Sequence, residues 1–244
     1  MDEVRYTIQD RDQVPDSFHW LTRDERARYE AFRFDKRRRD WLSGRWAAKI
    51  ALLGVSGLPE RDINRFEIAS APNGAPLPRL DGRPYQARLS LSHSNNRAFC
   101  TVSRETTALG CDIELVEPRS EVFVETYFTE SERVHVERAS PLFRDSLVTK
   151  MWSAKESTLK ALRIGLQADT RSVEVVDDGY CAGSDWGIAR TIVADAGEFS
   201  CLWRLDGQFV LSIVTRGPVE TPIPVAGHSS ARTLGACEFM TRTL

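Results

Sequence analysis

MWSAKESTLKAL, residues 151–162, decides how this chain is read. Turned as a helix at 100° per residue, it has two faces. Leu147, Met151, Ala154, Thr158, Ala161 and Leu162 share an apolar side. Trp152, Glu156, Lys160 and Arg163 stack on the opposite side, one turn apart. Alone, that is an amphipathic helix with an i,i+4 ion pair. It gains weight from GCDIE, residues 110–114, which places more acids in the same half of the chain.

Working outward, the pattern repeats. WLSGRWAAKIAL (41–52) parallels MWSAKESTLKAL, with Ser43 opposite Ser153, Arg45 opposite Lys155 and Trp46 opposite Glu156. FEIASAPNG (66–74) sits where VEVVDDGYC (173–181) sits. LSLSHSNNRAFCTVSR (89–104) parallels CLWRLDGQFVLSIVTR (201–216), and both are hairpin patterns. Each half reads helix, strand, loop, hairpin. The expected fold is α+β: two similar subdomains, each a helix packed on a small antiparallel sheet, related by a pseudo-twofold axis. Their expected bounds are 1–108 and 109–217, with 218–244 a tail of no assigned place. No acidic counterpart of Asp112 and Glu114 is found in the first half, which instead holds His93 and the arginines. A site between the halves would collect both sets.

The remaining segments follow local rules. Thr22–Asp40 is helical in pattern, and Trp41–Leu53 continues as an apolar helix ending near Gly54 and Gly57. Residues 71–84, rich in Pro and Gly, read as loop. Ser94-Asn95-Asn96 turns the first hairpin, and Leu109–Val116 is a strand. Thr129 and Glu132 are spaced as a capping box. Gly165 ends the helix over 147–163. Asp206-Gly207 joins the last two strands.

Composition sets bounds. The chain has 244 residues, 41% hydrophobic and 28% charged, as in an ordinary globular protein. A net charge of −2 argues against a nucleic-acid-binding polycation. Five cysteines without Cys-x-x-Cys spacing read as reduced thiols of a cytoplasmic protein. The charged start MDEVRYTIQDRDQ does not read as a signal peptide, and no run is long and apolar enough for a membrane span.

The acids carry the chemistry. Asp112 and Glu114 lie i,i+2 on a strand, so both leave one face. Two adjacent carboxylates repel unless a cation lies between them. Glu156 adds a third. Carboxylates without His or Cys suit a hard cation such as Mg²⁺, which shares its sphere with phosphates; a plain surface Asp/Glu pair is the competing reading. Arg37, Arg45, His93, Lys155 and Lys160 supply cationic charge, which suits a polyanionic ligand. No Walker loop, dinucleotide-binding glycine motif or nucleophile elbow is present.

SLSHS (90–94), GCDIE (110–114) and WSAKESTLKAL (152–162), in that order, resemble the Sfp-type 4′-phosphopantetheinyl transferases over roughly residues 25–216. The resemblance implies a two-subdomain pseudosymmetric fold with coenzyme A bound between the halves. It implies Asp112, Glu114 and Glu156 as ligands of Mg²⁺, with Mn²⁺ the alternative. Ser92 and His93 match phosphate contacts, Arg37 and Arg45 the grip on the adenosine 3′-phosphate, and Lys155 and Lys160 the diphosphate lysines. Gly74 and Pro76 match a G-K-P-like element in which Ala75 replaces Lys. Cys111 stands where an aliphatic residue is commoner, and Asp40 where some members are basic.

The implied enzyme is a holo-[carrier protein] synthase. A serine of an apo acyl or peptidyl carrier protein takes the 4′-phosphopantetheine arm of coenzyme A, and 3′,5′-ADP leaves. Such transfers serve fatty acid, polyketide or nonribosomal peptide synthesis. Glu156 is the first candidate base and Glu132 the second, with Lys160 steadying the diphosphate. A cytoplasmic monomer without nucleic-acid or membrane partners is expected. Two alternatives stay open: another Mg²⁺-dependent phosphotransferase or hydrolase of a diphosphate, and a nucleic-acid-binding module using the basic–aromatic stretch at 32–46.

Overall fold

The computed structural model describes residues 3–164, 168–181, 186–218 and 220–229. Two long helices organise it. Helix α1 (Arg23–Glu30) is short and N-capped by Thr22. Helix α2 (Asp35–Ser56) follows after a break and buries Leu42, Trp46, Ala47, Ile50 and Ala51 before Gly57 ends it at φ 72. The single helix expected over Thr22–Asp40 is therefore two pieces.

Around α2 lie strands β1 (Arg5–Asp10), β2 (Phe66–Ser70), β3 (Pro76–Leu80), β4 (Arg83–Pro84), β5 (Arg88–Ser94) and β6 (Arg97–Ser103). The expected loop over 71–84 thus contains two strands. Its prolines sit at the start of β3, before the β4 register begins at Arg79, and Pro78, which has no N–H to give, still accepts the Tyr85 N–H at its carbonyl at 3.0 Å. Asn95 and Asn96, at φ 44 and 64, turn the β5–β6 hairpin as the sequence pattern implied.

The second half runs β7 (Leu109–Leu115), α3 (Glu121–Tyr127), α4 (Glu130–Arg138), α5 (Pro141–Leu162), β8 (Val173–Cys181), β9 (Gly187–Val193), β10 (Gly197–Asp206) and β11 (Phe209–Thr215). Helix α5 starts at Pro141, a residue preorganised for a first turn. Arg163, at φ 59, caps it; the expected stop at Gly165 lies outside the described residues. Finally β12 (Ile223–Ser229) pairs in parallel with β1, so this part of the expected tail belongs to the first half's sheet; 230–244 lie outside the described residues.

Among the described residues the sheet orders are β12-β1-β6-β5, β7-β11-β10-β9-β8 and β2-β3-β4. One apolar cluster joins the two larger sheets through Tyr6, Ile8, Phe99, Cys111, Ile113 and Ile213. On the opposite faces, α2 packs on β2, β5 and β6, and α5 on β8 to β11. The architecture is mixed helix and sheet, as expected. Cys100, Cys111 and Cys201 are buried free thiols. No helix among the described residues is long and apolar enough to cross a membrane.

A buried polar network occurs once in each half and corrects the register of the repeat. Thr22 and Glu25 form a capping box on α1, and Thr129 and Glu132 one on α4. Glu25 Oε1 accepts Ile68 N–H at 2.9 Å while Lys49 Nζ reaches its Oε2 at 2.6 Å. Glu132 Oε1 accepts Val175 N–H at 2.8 Å while Lys155 Nζ reaches its Oε2 at 2.8 Å. Lys49 therefore matches Lys155 and Trp46 matches Trp152, not Glu156. Glu156 matches Ile50. The counterpart of Asp112 is Thr7 and that of Glu114 is Gln9, found by their strand positions opposite β11 and β6. The spacing of apolar letters misses this because neutral residues stand where acids were sought.

Candidate active site

The site forms where β5 meets β7 beneath α5. Gly110 opens the GCDIE strand for a steric reason. A Cβ there would lie 1.8 Å from the Ser157 carbonyl oxygen and 2.7 Å from the Ala161 nitrogen. Only glycine lets the helix backbone settle this close to the strand. Lys160, Glu156 and Trp152, on successive turns, then stand over Asp112 and Glu114. The opposite side chains of the strand, Cys111 and Ile113, enter the apolar layer as their alternation required.

Asp112 is the hub and is 2% exposed. Its Oδ1 accepts Lys160 Nζ at 2.7 Å and Ser92 Oγ at 2.7 Å. Its Oδ2 is buried without a hydrogen-bond partner, and so is Glu156 Oε1. Glu114 Oε1 accepts Trp152 Nε1–H at 3.3 Å, and its Oε2 lies 3.5 Å from Arg119. Burial, then the charge of Asp112, pushes both Glu114 and Glu156 up to about 7. Burial, the largest single effect on Lys160, disfavours its charge, but Asp112, Cys111 and Glu156 together outweigh it and raise the pKa.

An open cleft of about 550 Å³ is lined by Arg28, Phe32, Lys36, Arg37, Trp41 and His93 among others; His93 follows Ser92, the partner of Asp112, on β5. Cations interleaved with aromatic faces suit an anion that carries a flat ring. Arg37 and His93 line it, with His93 Nε2 3.8 Å from Asp40. Arg45 lies deeper: its guanidinium stacks 4.9 Å from the Trp41 ring centre and donates to Ser70 Oγ at 3.4 Å. Burial lowers its pKa to about 10. The 73–76 loop reaches the same region, because Asn73 Nδ2 donates to the Arg163 carbonyl at the end of α5 at 2.9 Å.

Two sequence expectations need correction. Lys155 does not face the acids; it is fully buried on the other side of α5, bound to Glu132 and to the carbonyls of Thr170 and Val173. Glu132 is spent on Lys155, Thr129 and Val175, so it is no candidate base. A WSAKE string does not tell which side of a helix its lysine takes when both sides are buried. Ser92 reaches Asp112 rather than open space, and the alternation of SLSHS toward β7 is the signal for it. Arg28 and Arg119 carry no such signal, whereas the helical spacing already sets Trp152 on the face of Glu156 and Lys160.

The carboxylates are not gathered around a metal position. As the side chains stand, no group of three or more His, Cys, Asp or Glu among the described residues is close enough to hold one, and Lys160 holds one oxygen of Asp112. The chemistry nevertheless fits a hard cation. Asp112 Oδ2 and Glu156 Oε1 are buried carboxylate oxygens without partners, and the neighbouring Glu114 carries a raised pKa.

Residues 108–210 match the model of the 4′-phosphopantetheinyl transferase superfamily. The 4′-phosphopantetheinyl transferase HetI of Nostoc sp. strain PCC 7120 is 29% identical over 167 residues, covering 67% of this chain and 68% of that protein. Fatty acid synthase subunit alpha of Candida parapsilosis is 31% identical over 97 residues, 37% of this chain and 5% of that protein. Among solved structures, a Bacillus anthracis holo-(acyl-carrier-protein) synthase in complex with CoA (3′,5′-ADP) aligns at TM-score 0.36 and 21% identity, over 41% of this chain and 93% of that one. The Thermotoga maritima synthase aligns at TM-score 0.36 and 22% identity, over 45% of this chain and 62% of that one.

Proposed function

We propose that this chain, whose residues 108–210 match the model of the 4′-phosphopantetheinyl transferase superfamily, moves the 4′-phosphopantetheine arm of coenzyme A onto a serine of an apo acyl or peptidyl carrier protein and releases 3′,5′-ADP. The observation that carries this reading is the pair of buried, unpartnered carboxylate oxygens on Asp112 and Glu156, in a chain whose cationic and aromatic cleft takes in His93, the neighbour of Ser92 on β5.

Arg28, Lys36 and Arg37 take the phosphorylated adenosine end of coenzyme A, with Phe32 and Trp41 against its ring; Arg45 supports them from below. His93 faces the phosphates from the cleft, while Ser92 holds Asp112. Asp112, Glu114 and Glu156 would hold Mg²⁺, or Mn²⁺ in its place. When bound, that ion neutralises charge on the diphosphate. Lys160, already fixed by Asp112, adds positive charge at the bond that breaks.

A serine hydroxyl is a weak nucleophile at neutral pH and needs a base. Glu156 suits that task, because its Oε1 is buried and has no hydrogen-bond partner of its own. Its carboxylate takes the hydroxyl proton as the serine oxygen bonds to the β-phosphorus. The bond from that phosphorus to the bridging oxygen breaks, and 3′,5′-ADP departs with it. Positioning and electrostatics carry most of such a transfer.

The halves 1–108 and 109–217 are taken as the walls of the site. One chain carries both the acids and the cleft, so a monomer suffices; we take it to be cytoplasmic, with neither nucleic acid nor membrane as partner. The test is incubation with coenzyme A, Mg²⁺ and an apo carrier protein. A carrier heavier by one phosphopantetheine, with 3′,5′-ADP in solution, supports the reading. An unmodified carrier with free 4′-phosphopantetheine and 3′,5′-ADP in solution would assign the site to diphosphate hydrolysis instead.

A further inference from the structure

Three hydroxyls are buried where α5 rests on the second sheet, and none touches the acids. Ser153, Ser157 and Ser212 are each 0% exposed. Ser212 Oγ lies 2.8 Å from Ser153 Oγ and 2.6 Å from Ser157 Oγ, and it donates to the Ser153 carbonyl at 2.9 Å. One proton arrangement satisfies all three: both helix hydroxyls donate into Ser212 Oγ, and Ser212 gives its own proton to that carbonyl.

We infer that Ser212 is a positioning residue that fixes the screw position of α5, and so the placement of Glu156 and Lys160 against Asp112. This inference rests on the transferase reading above.

The argument is geometric. Ser153 and Ser157, one turn apart, grip Ser212 from two sides. Ser212 is the β11 residue paired with Asp112 of β7, so the grip ties the helix to the strand beside the hub of the site. A one-residue slide of α5 moves it about 1.5 Å along its axis and turns it by about 100°. Both hydroxyl contacts would then break, because hydrogen bonds tolerate little stretching. The other residues under α5, such as Val148, Met151, Ala154 and Leu159, provide apolar burial, which is not directional. They hold the helix down without fixing its register; its other buried directional ties, Lys155 to Glu132 and Thr158 Oγ1 to Thr191 Oγ1 at 2.9 Å, run toward α4 and β9, so the serines are the ones that tie it to β11 beside Asp112. Gly110 brings helix and strand together, and the three serines set where along the strand they meet. Glu156 sits between Ser153 and Ser157, and Lys160 is one turn beyond Glu156, so both inherit that register. Misplacement by about 1 Å is enough to cost a factor on the order of 100 in rate.

The test compares wild type with S153A/S157A/S212A, which removes the three hydroxyls together and orphans none, and with S157A alone should the triple variant not fold. The expected result is a melting temperature close to wild type, KM for coenzyme A within about twofold, and kcat for carrier modification lower by roughly 10- to 100-fold. In a crystal structure of the variant the Lys160–Asp112 contact is expected to open. Unchanged kcat with that contact kept overturns the inference, as does a kcat loss matched by loss of folded protein. Should wild type modify no carrier, the transferase reading fails, and the crystallographic contact alone then decides: opened it upholds the positioning role, kept it ends it.

Discussion

Trp152 donates its indole N–H to Glu114 at 3.3 Å, and Trp46 donates to Gln9 at 3.1 Å in the equivalent place of the other half. Each bond runs from a long helix to the strand beside the hairpin. The scaffold is therefore present twice, but the acids only once. Thr7, Gln9 and Ile50 take the places of Asp112, Glu114 and Glu156, so the first half cannot gather three carboxylates.

The first prediction concerns that indole. Its hydrogen bond lowers the Glu114 pKa, against burial and Asp112, which raise it. Trp152→Phe keeps the bulk packed on Phe123 and Tyr127 and removes the donor, so Glu114 should protonate at higher pH. The acidic limb of the transfer rate profile should move up in pH relative to wild type. Superimposable profiles would show that the bond does not govern Glu114.

A second prediction follows from the acid pair itself. Glu114 and Glu156 have folded-state pKa values of about 7, above those of the unfolded chain. Between those limits the folded state binds more protons than the unfolded state, so stability falls as pH rises. The contribution is fully present below the unfolded pKa and lost through about 7. Thermal melts of the metal-free protein should show it, and E114Q/E156Q should flatten the trend. Added Mg²⁺ at pH 8 should raise the melting temperature of wild type and have little effect on the double variant.

Gly110→Ala should be strongly destabilising. Its Cβ would stand 1.8 Å from a backbone oxygen that has no room to retreat. Overpacking costs about 1–3 kcal/mol and occasionally more, and this contact belongs at the upper end. Urea denaturation measures it; a midpoint equal to wild type would mean that α5 can lift away freely.

Much of this architecture was legible in the letters. The β5–β6 turn, the capping box at Thr129 and the strand bearing GCDIE all followed from local pattern. What failed was long-range. Lys155 reads as a diphosphate lysine by its place beside Glu156, yet its partner Glu132 lies on another helix, and nothing local announces a buried pair. Pro76 and Pro78 read as loop because a strand with few ladder bonds is invisible in composition. The repeat was found, but in the wrong register, since Thr7 and Gln9 replace acids and only the shared Trp and Lys contacts reveal the match.

Lys155 supplies the fourth prediction. Lys155→Met strands Glu132 in the core, and breaking one side of a buried pair costs about 3–5 kcal/mol. Pairing it with Glu132→Leu should recover much of that loss. KM for coenzyme A, measured on the folded double variant, should stay near wild type. A large rise in KM with stability restored would return Lys155 to the substrate.

The central claim is that Asp112 anchors a transfer of phosphopantetheine. The direct measurement is mass spectrometry of an apo carrier protein after incubation with coenzyme A, Mg²⁺ and either wild type or Asp112→Ala. Wild type should convert the carrier to its phosphopantetheine form, and the variant, still folded by circular dichroism, should be slower by a factor on the order of 100 or more. Near-wild-type conversion by the variant would contradict the account.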